Sequence, residues 1–293
     1  MKWRGRQQSS NVNDQRGQSG GMRGRNIALG GGGLGLVIAM VMFLLTGDPG
    51  ALMNPGAVVQ QPPAQQQTYQ ATELEEELFQ YAGVVLKEVE DTWNTIFPTV
   101  GRQYKEPTMT IYSGYVNTGC GAADSGVGPF YCTLDQNIYI DLSFYNTLVS
   151  RYGAKQGDFS MAYVIAHEAG HHVQTLLGVT DQLNELRQRV ARGTMTQTEF
   201  NDYSIRYELQ ADYLAGVVAR HIHEKGNLEQ GDMQEAMSAA AAVGDDAIQK
   251  KAQGYVDPDT FNHGTSQQRQ TWFKKGFDAG DLSDWDTFSA SIW

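Results

Sequence analysis

The stretch Met161-Ala-Tyr-Val-Ile-Ala-His-Glu-Ala-Gly-His-His-Val-Gln-Thr-Leu-Leu177 decides how this chain is read. Inside it, His167-Glu168-Ala-Gly-His171 places two histidines four residues apart. On a helix they lie about 40° apart around the axis and one turn along it, so both imidazoles reach one point. Neutral imidazole binds zinc, and an open zinc site lowers the pKa of its water to roughly 7. Glu168 lies about 60° from His171 on the same side, within reach of that water as a general base. The five-residue pattern also occurs by chance, so its surroundings matter. Val164, Ile165, Ala166, Ala169, Val173, Leu176 and Leu177 make the helix apolar nearly all round, which places it in a core. Buried histidines and a buried glutamate need partners, and zinc supplies one.

Asp158 or Ser160 is expected to cap this helix, and Gly178 to end it. Gly170 costs about 1 kcal/mol against Ala inside a helix, so a neighbour is expected to pack closely there. His172 points to the Ile165 and Leu176 side and reads as a core histidine or one that supports the metal ligands from behind. A polar helix over 181–192 follows.

A catalytic zinc usually has three protein ligands. A histidine six residues after His171 is excluded, since position 177 is Leu and position 174 is Gln. The next candidate is a carboxylate on another helix. Thr196-x-x-Glu199 is a capping box, and the periodicity after it runs to Gly226. Glu208 and Asp212 share one face of that helix at i and i+4. Glu208 is read as the third ligand, with Asp212 taking the second N–H of a histidine ligand. The neighbouring Leu209, Tyr213 and Leu214 favour this over a pair of solvated acids. His221 and His223, two apart at the helix end, suit its dipole.

The 293-residue chain carries a net charge of −11. Lys2, Arg4, Arg6, Arg16, Arg23 and Arg25 against Asp14 make residues 1–26 net +5, leaving −16 for the rest. Residues 1–26 read as a disordered basic arm. Residues 27–45 carry no charge and include five glycines. A helix of that length spans about 28 Å, enough to cross a bilayer. The arginine-rich flank predicts a cytoplasmic N-terminus, with everything beyond on the outer face of the inner membrane. A cleaved signal peptide is the competing reading, disfavoured by the length of the run and the lack of a nearby Ala-x-Ala site. Residues 46–70 form a Pro/Gln-rich linker. The domain is expected over 71–293, and its acidity argues against nucleic acid as a partner.

Thr72-x-x-Glu75 opens an amphipathic helix ending near Pro98. Residues 107–112 and 136–142 read as strands. Cys120 and Cys132 lie between them, on either side of a glycine-rich stretch read as a surface loop. In an oxidising compartment they are expected to pair, stabilising by about 3 kcal/mol. Two free thiols are the alternative. Residues 236–243 form an alanine-rich helix, and Thr265-x-x-Gln268 opens the last one.

His167-Glu-x-x-His171 followed by Glu208-x-x-Ala-Asp212 resembles the gluzincin metalloproteases. More closely, the chain resembles the bacterial membrane-anchored family called "putative neutral zinc metallopeptidase". The matching pieces include Trp3-x-Gly-Arg6, Asn11-Val-x-Asp14-x-Arg16, Gly119-Cys-Gly, Phe130-Tyr-Cys132 and His263-Gly-Thr-Ser-x-x-Arg269. The resemblance implies a zincin-like fold, Zn2+ held by His167, His171 and Glu208, and Glu168 as catalytic base. In similar membrane proteases a His-Pro turn with an arginine six residues on lies near the active site. Here Gly264 replaces the proline, and His263 is read as a donor to the oxyanion, with Arg269 ordering the site.

These readings converge on an α+β, mainly helical, zincin-like domain with a small β-sheet, preceded by one transmembrane helix. The expected activity is hydrolysis of peptide bonds in extracytoplasmic proteins, by an enzyme held in the bilayer through residues 27–45. A zinc-stabilised scaffold without activity is the alternative. The strand around 137–142 is expected to be an edge on which an extended substrate pairs.

Overall fold

Helix α1 (Glu73–Ile96) begins at the expected capping box, with Thr72 and Glu75 bonding each other's backbone N–H. It is the first helix among the residues that the computed structural model describes, 1–18 and 69–292. Its apolar stripe buries Leu78, Tyr81, Val85, Val89 and Trp93. The fold is α+β and mainly helical. Strands β1 (Val12–Asp14), β2 (Thr108–Tyr112), β5 (Phe130–Cys132) and β6 (Asn137–Asp141) make one sheet in the order β1-β2-β6-β5. The first three in that order are parallel, and β5 runs antiparallel to β6.

The expected glycine-rich surface loop is instead a hairpin, β3 (Tyr115–Thr118) with β4 (Gly121–Asp124). Glycine lets the chain turn back at Gly121, where φ is 122°. Cys120, at the turn, is disulfide-bonded to Cys132 on β5, as expected, with Cα atoms 5.8 Å apart. A further correction concerns the substrate edge. β6 lies between β2 and β5, so it has no free edge, and the terminal strand on that side is β5.

Helix α2 (Phe144–Ser150) leads to the central helix α3 (Phe159–Leu177), buried over most of its length and closed by Gly178 in the left-handed conformation. Neither expected cap serves it. Asp158 has helical backbone angles, from which its side chain cannot turn back to the first amides. Its carboxylate instead receives the α-amino group of Met1, and the Phe159 N–H goes to Glu235 Oε2 at 3.1 Å. Helices α4 (Val179–Ala191), α5 (Gln197–Glu224), α6 (Asp232–Ala242), α7 (Asp245–Gln253) and α8 (Ser266–Ala279) complete the body. The predicted capping boxes open α5 and α8. Helix α5 packs against α3, and α8 against α5.

Residues 1–18 depart from the expectation of a disordered arm. Trp3 is 7% exposed and meets Tyr81 edge to face at 5.5 Å. The Ser9 N–H bonds Gly83 O at 2.9 Å, and β1 adds to the sheet edge in register with Met109–Ile111. Polarity misleads here because the segment's polar groups have partners. The expected transmembrane helix over 27–45 and most of the linker over 46–70 lie outside the described residues. Among those described, no helix is long and apolar enough to cross a membrane.

Candidate active site

Gly170 brings the two central helices together. A Cβ there would lie 3.0 Å from Ala211 O and 3.1 Å from Ala211 Cα, tighter than ordinary Cβ contacts, so glycine lets α3 approach α5 this closely without a shift of the neighbouring backbone. Ala211 sits between Glu208 and Asp212, and the close contact sets both carboxylates against the histidines of α3. His167 Nε2 is 3.2 Å from Glu208 Oε2, and His171 Nε2 is 3.6 Å from Glu208 Oε1. One donor atom from each of the three residues lies within 4.8 Å of the others.

The spacing suits zinc. Ligands about 2.1 Å from the ion at tetrahedral angles stand about 3.4 Å apart. The tautomers suit it too. His167 Nδ1 faces Asp212 Oδ1 at 2.9 Å, and His171 Nδ1 faces Gln174 Oε1 at 2.8 Å. Each acceptor holds the proton on Nδ1 and leaves the Nε2 lone pair aimed at the shared point. Gln174 cannot turn around, because its amide N–H groups reach Tyr207 O at 2.7 Å and Gln210 Oε1 at 3.0 Å. The Tyr207 ring stacks on His171 with centroids 4.9 Å apart.

Asp212 is wholly buried. Arg269 of α8 meets it bidentately, Nε to Oδ2 at 2.8 Å and Nη2 to Oδ1 at 3.0 Å, and Tyr163 donates its hydroxyl at 2.5 Å. Burial favours the neutral acid, but Arg269 and His167 outweigh it and hold Asp212 below the usual carboxylate range. Glu208 is likewise lowered, burial being outweighed by His171, His167 and His263. Burial pushes His171 down to about 4, while His167 rises to about 9 because Asp212 and Glu208 outweigh its burial.

Glu168 points into a cleft of about 460 Å³ lined by Tyr131, Phe144, Leu183, Tyr207 and His263 among others. Burial, with the Glu208 charge adding to it, pushes Glu168 up to about 7. Across the cleft, His263 Nδ1 lies 3.2 Å from Asp245 Oδ1. Asp245 Oδ2 accepts the backbone N–H groups of Asn262, His263 and Gly264 at 2.8, 2.7 and 3.0 Å. Burial disfavours the His263 cation, but Asp245 and Glu208 outweigh it and raise its pKa. Asp245, at the start of α7, has no motif around it in the sequence, and nothing there marked it.

The predicted site residues thus fall in one place. His167, Glu168, His171, Glu208, His263 and Arg269 line the cleft, while Asp212 lies behind His167, joined to it and to Arg269. Cys120 contributes to the rim. His172 is apart from the donor set. It is fully buried, its Nε2 bonding Lys105 O at 2.7 Å and its Nδ1 accepting from Tyr131 OH at 2.9 Å. His221, at the end of α5, bonds Gly280 O at 3.0 Å.

Two imidazoles and a glutamate around one point, with a second glutamate beside them in an apolar cleft, are the parts of a zinc hydrolase centre. The chain belongs to the family described as "Putative neutral zinc metallopeptidase", which it matches over residues 1–288. It is 46% identical over 295 residues to the "Uncharacterized protein YpfJ" of Escherichia coli K12, covering all of both chains. It is 41% identical over 213 residues to the "Uncharacterized protein Rv2575" of Mycobacterium tuberculosis H37Rv, covering 69% of this chain and 68% of that one. No solved structure matches it.

Proposed function

We propose that this chain is a zinc-dependent endopeptidase with a zincin-like catalytic domain, acting on proteins outside the cytoplasm. The observation that carries the reading is Glu168, a buried carboxylate facing the cleft beside the donor set, because a purely structural zinc site needs no base. Zinc held by His167, His171 and Glu208 would polarise the scissile carbonyl and acidify a water. Glu168 takes the proton from the attacking water and delivers it to the leaving amine. His263, fixed by Asp245, donates its ring N–H to the oxygen that gains charge. The free edge of β5 borders the cleft through Tyr131, and an extended peptide pairs there in strand fashion. The Cys120–Cys132 bridge favours an oxidising compartment.

The test uses the full chain, since residues 1–18 are part of the body. Zinc stoichiometry is measured, and cleavage of unfolded proteins is compared between wild type and Glu168→Gln. Equal zinc in both, with cleavage by wild type alone, is the expected result. Wild type that binds zinc and cleaves nothing across a broad panel would replace the enzyme with a zinc-stabilised scaffold. Unchanged zinc affinity in Glu208→Ala would remove the third ligand.

A further inference from the structure

We infer that residues 1–18 and residues 69–292 stand on the same side of the membrane, because the first segment is built into the second. Three of the basic residues that read as a signal for a cytoplasmic N-terminus, Arg4, Arg6 and Arg16, are matched to acids of helix α1. Arg4 pairs with Glu77, Arg6 with Glu88, and Arg16 with Glu76 as well as with its neighbour Asp14. Glu90, 2% exposed, accepts from Ser9 Oγ at 2.5 Å and from Asn11 Nδ2 at 2.8 Å. Strand β1 covers the edge of β2, which would otherwise offer a row of unpaired backbone groups. Trp3 is enclosed beside Tyr81.

These contacts join backbone, apolar and ionic groups over the length of the segment, so they describe a fixed part of the fold. A bilayer cannot lie between strands that share hydrogen bonds. One passage is all that the nineteen apolar residues from 27 to 45 allow. A docked arm and a one-way passage between residues 18 and 69 therefore exclude each other. Exchange of arms between copies does not alter this, since every copy carries the same topology. The inference opposes the orientation expected from the sequence, and it is independent of whether the site binds zinc.

The test is cysteine labelling of the full chain in the producing cells. Ser10→Cys reports the arm and Tyr255→Cys the body, both positions being exposed. A membrane-impermeant maleimide is applied to intact cells and to detergent-permeabilised cells, with denatured protein as the reference for full labelling. The expected result is the same pattern at both positions, reactive in intact cells or reactive only after permeabilisation. One position labelled in intact cells and the other only after permeabilisation would overturn the inference. Trp3→Cys tests docking itself, with Gln7→Cys as an exposed neighbour. The Trp3→Cys thiol should react far more slowly than the Gln7→Cys thiol in permeabilised cells. Equal rates would show an undocked arm and overturn the inference as well.

Discussion

Asp212→Asn is expected to cost both stability and zinc affinity, and the size of each loss follows from what the carboxylate touches. The change keeps the shape and removes the charge. Arg269 is 4% exposed and its bidentate partner is Asp212. Orphaning one member of a buried ion pair costs about 3–5 kcal/mol. For a chain of this size that corresponds to a fall in Tm of roughly 6–20 °C. His167 also loses the anion on Nδ1, and such losses behind a ligand weaken metal binding by about 10–100-fold. Thermal denaturation of zinc-free protein at pH 7 reads the first effect, and competition with a chromogenic chelator reads the second. The double variant Asp212→Asn/Arg269→Gln should regain part of the stability, because no unpaired cation remains, yet it should not regain the zinc affinity. The pH dependence has a definite sign. Asp212 is held below its ordinary pKa, so its contribution is present at neutral pH and fades only as the pH falls below about 4. A stability loss under about 1 kcal/mol, the scale of an exposed ion pair, with unchanged zinc affinity would refute the reasoning.

Glu168→Gln should stabilise the zinc-free protein at pH 8. The carboxyl is raised from 4.5 to about 7, so the folded state loses stability as pH rises between those values and regains it when the charge is removed, by up to about 3 kcal/mol. Equal denaturation midpoints for the two proteins at pH 8 would count against a Glu168 whose charged form is disfavoured by burial. Asp245→Asn should lower kcat by about 10²–10³, as losing an oxyanion donor does, with zinc stoichiometry unchanged. An unaltered kcat would remove His263 from the chemistry. Reducing Cys120–Cys132 should cost about 3 kcal/mol, read as a lower Tm in dithiothreitol. No change in Tm on complete reduction would show that the hairpin wall stands without the bond.

The parts of this fold that the sequence announces are those decided within a few residues. The pairs Thr72 with Glu75, Thr196 with Glu199 and Thr265 with Gln268 each settle a helix start locally, and all three helices begin there. Helix α3 shows its burial through its own composition, and Gly170 its close neighbour through the cost of a helical glycine. What escaped depends on groups distant in the chain. Glu235 caps α3 from a helix that starts more than fifty residues beyond it. Asp245 gains meaning only when the turn at 262–264 folds onto it. The arm at 1–18 has a composition common to disordered chains, because Arg4, Arg6 and Arg16 meet their acids on helix α1 some sixty or more residues away. Strand β5 is too short for its alternation to show.

The pairing of β1 with β2 also sets an order of events during synthesis. The arm leaves the ribosome before its partner strand, which begins only at Thr108. At ordinary translation speeds roughly ninety further residues take about 5–20 s to appear. Throughout that interval Trp3 and the arginines are available to any factor that meets the nascent chain. The sheet therefore closes late, only after the strand that receives β1 has emerged.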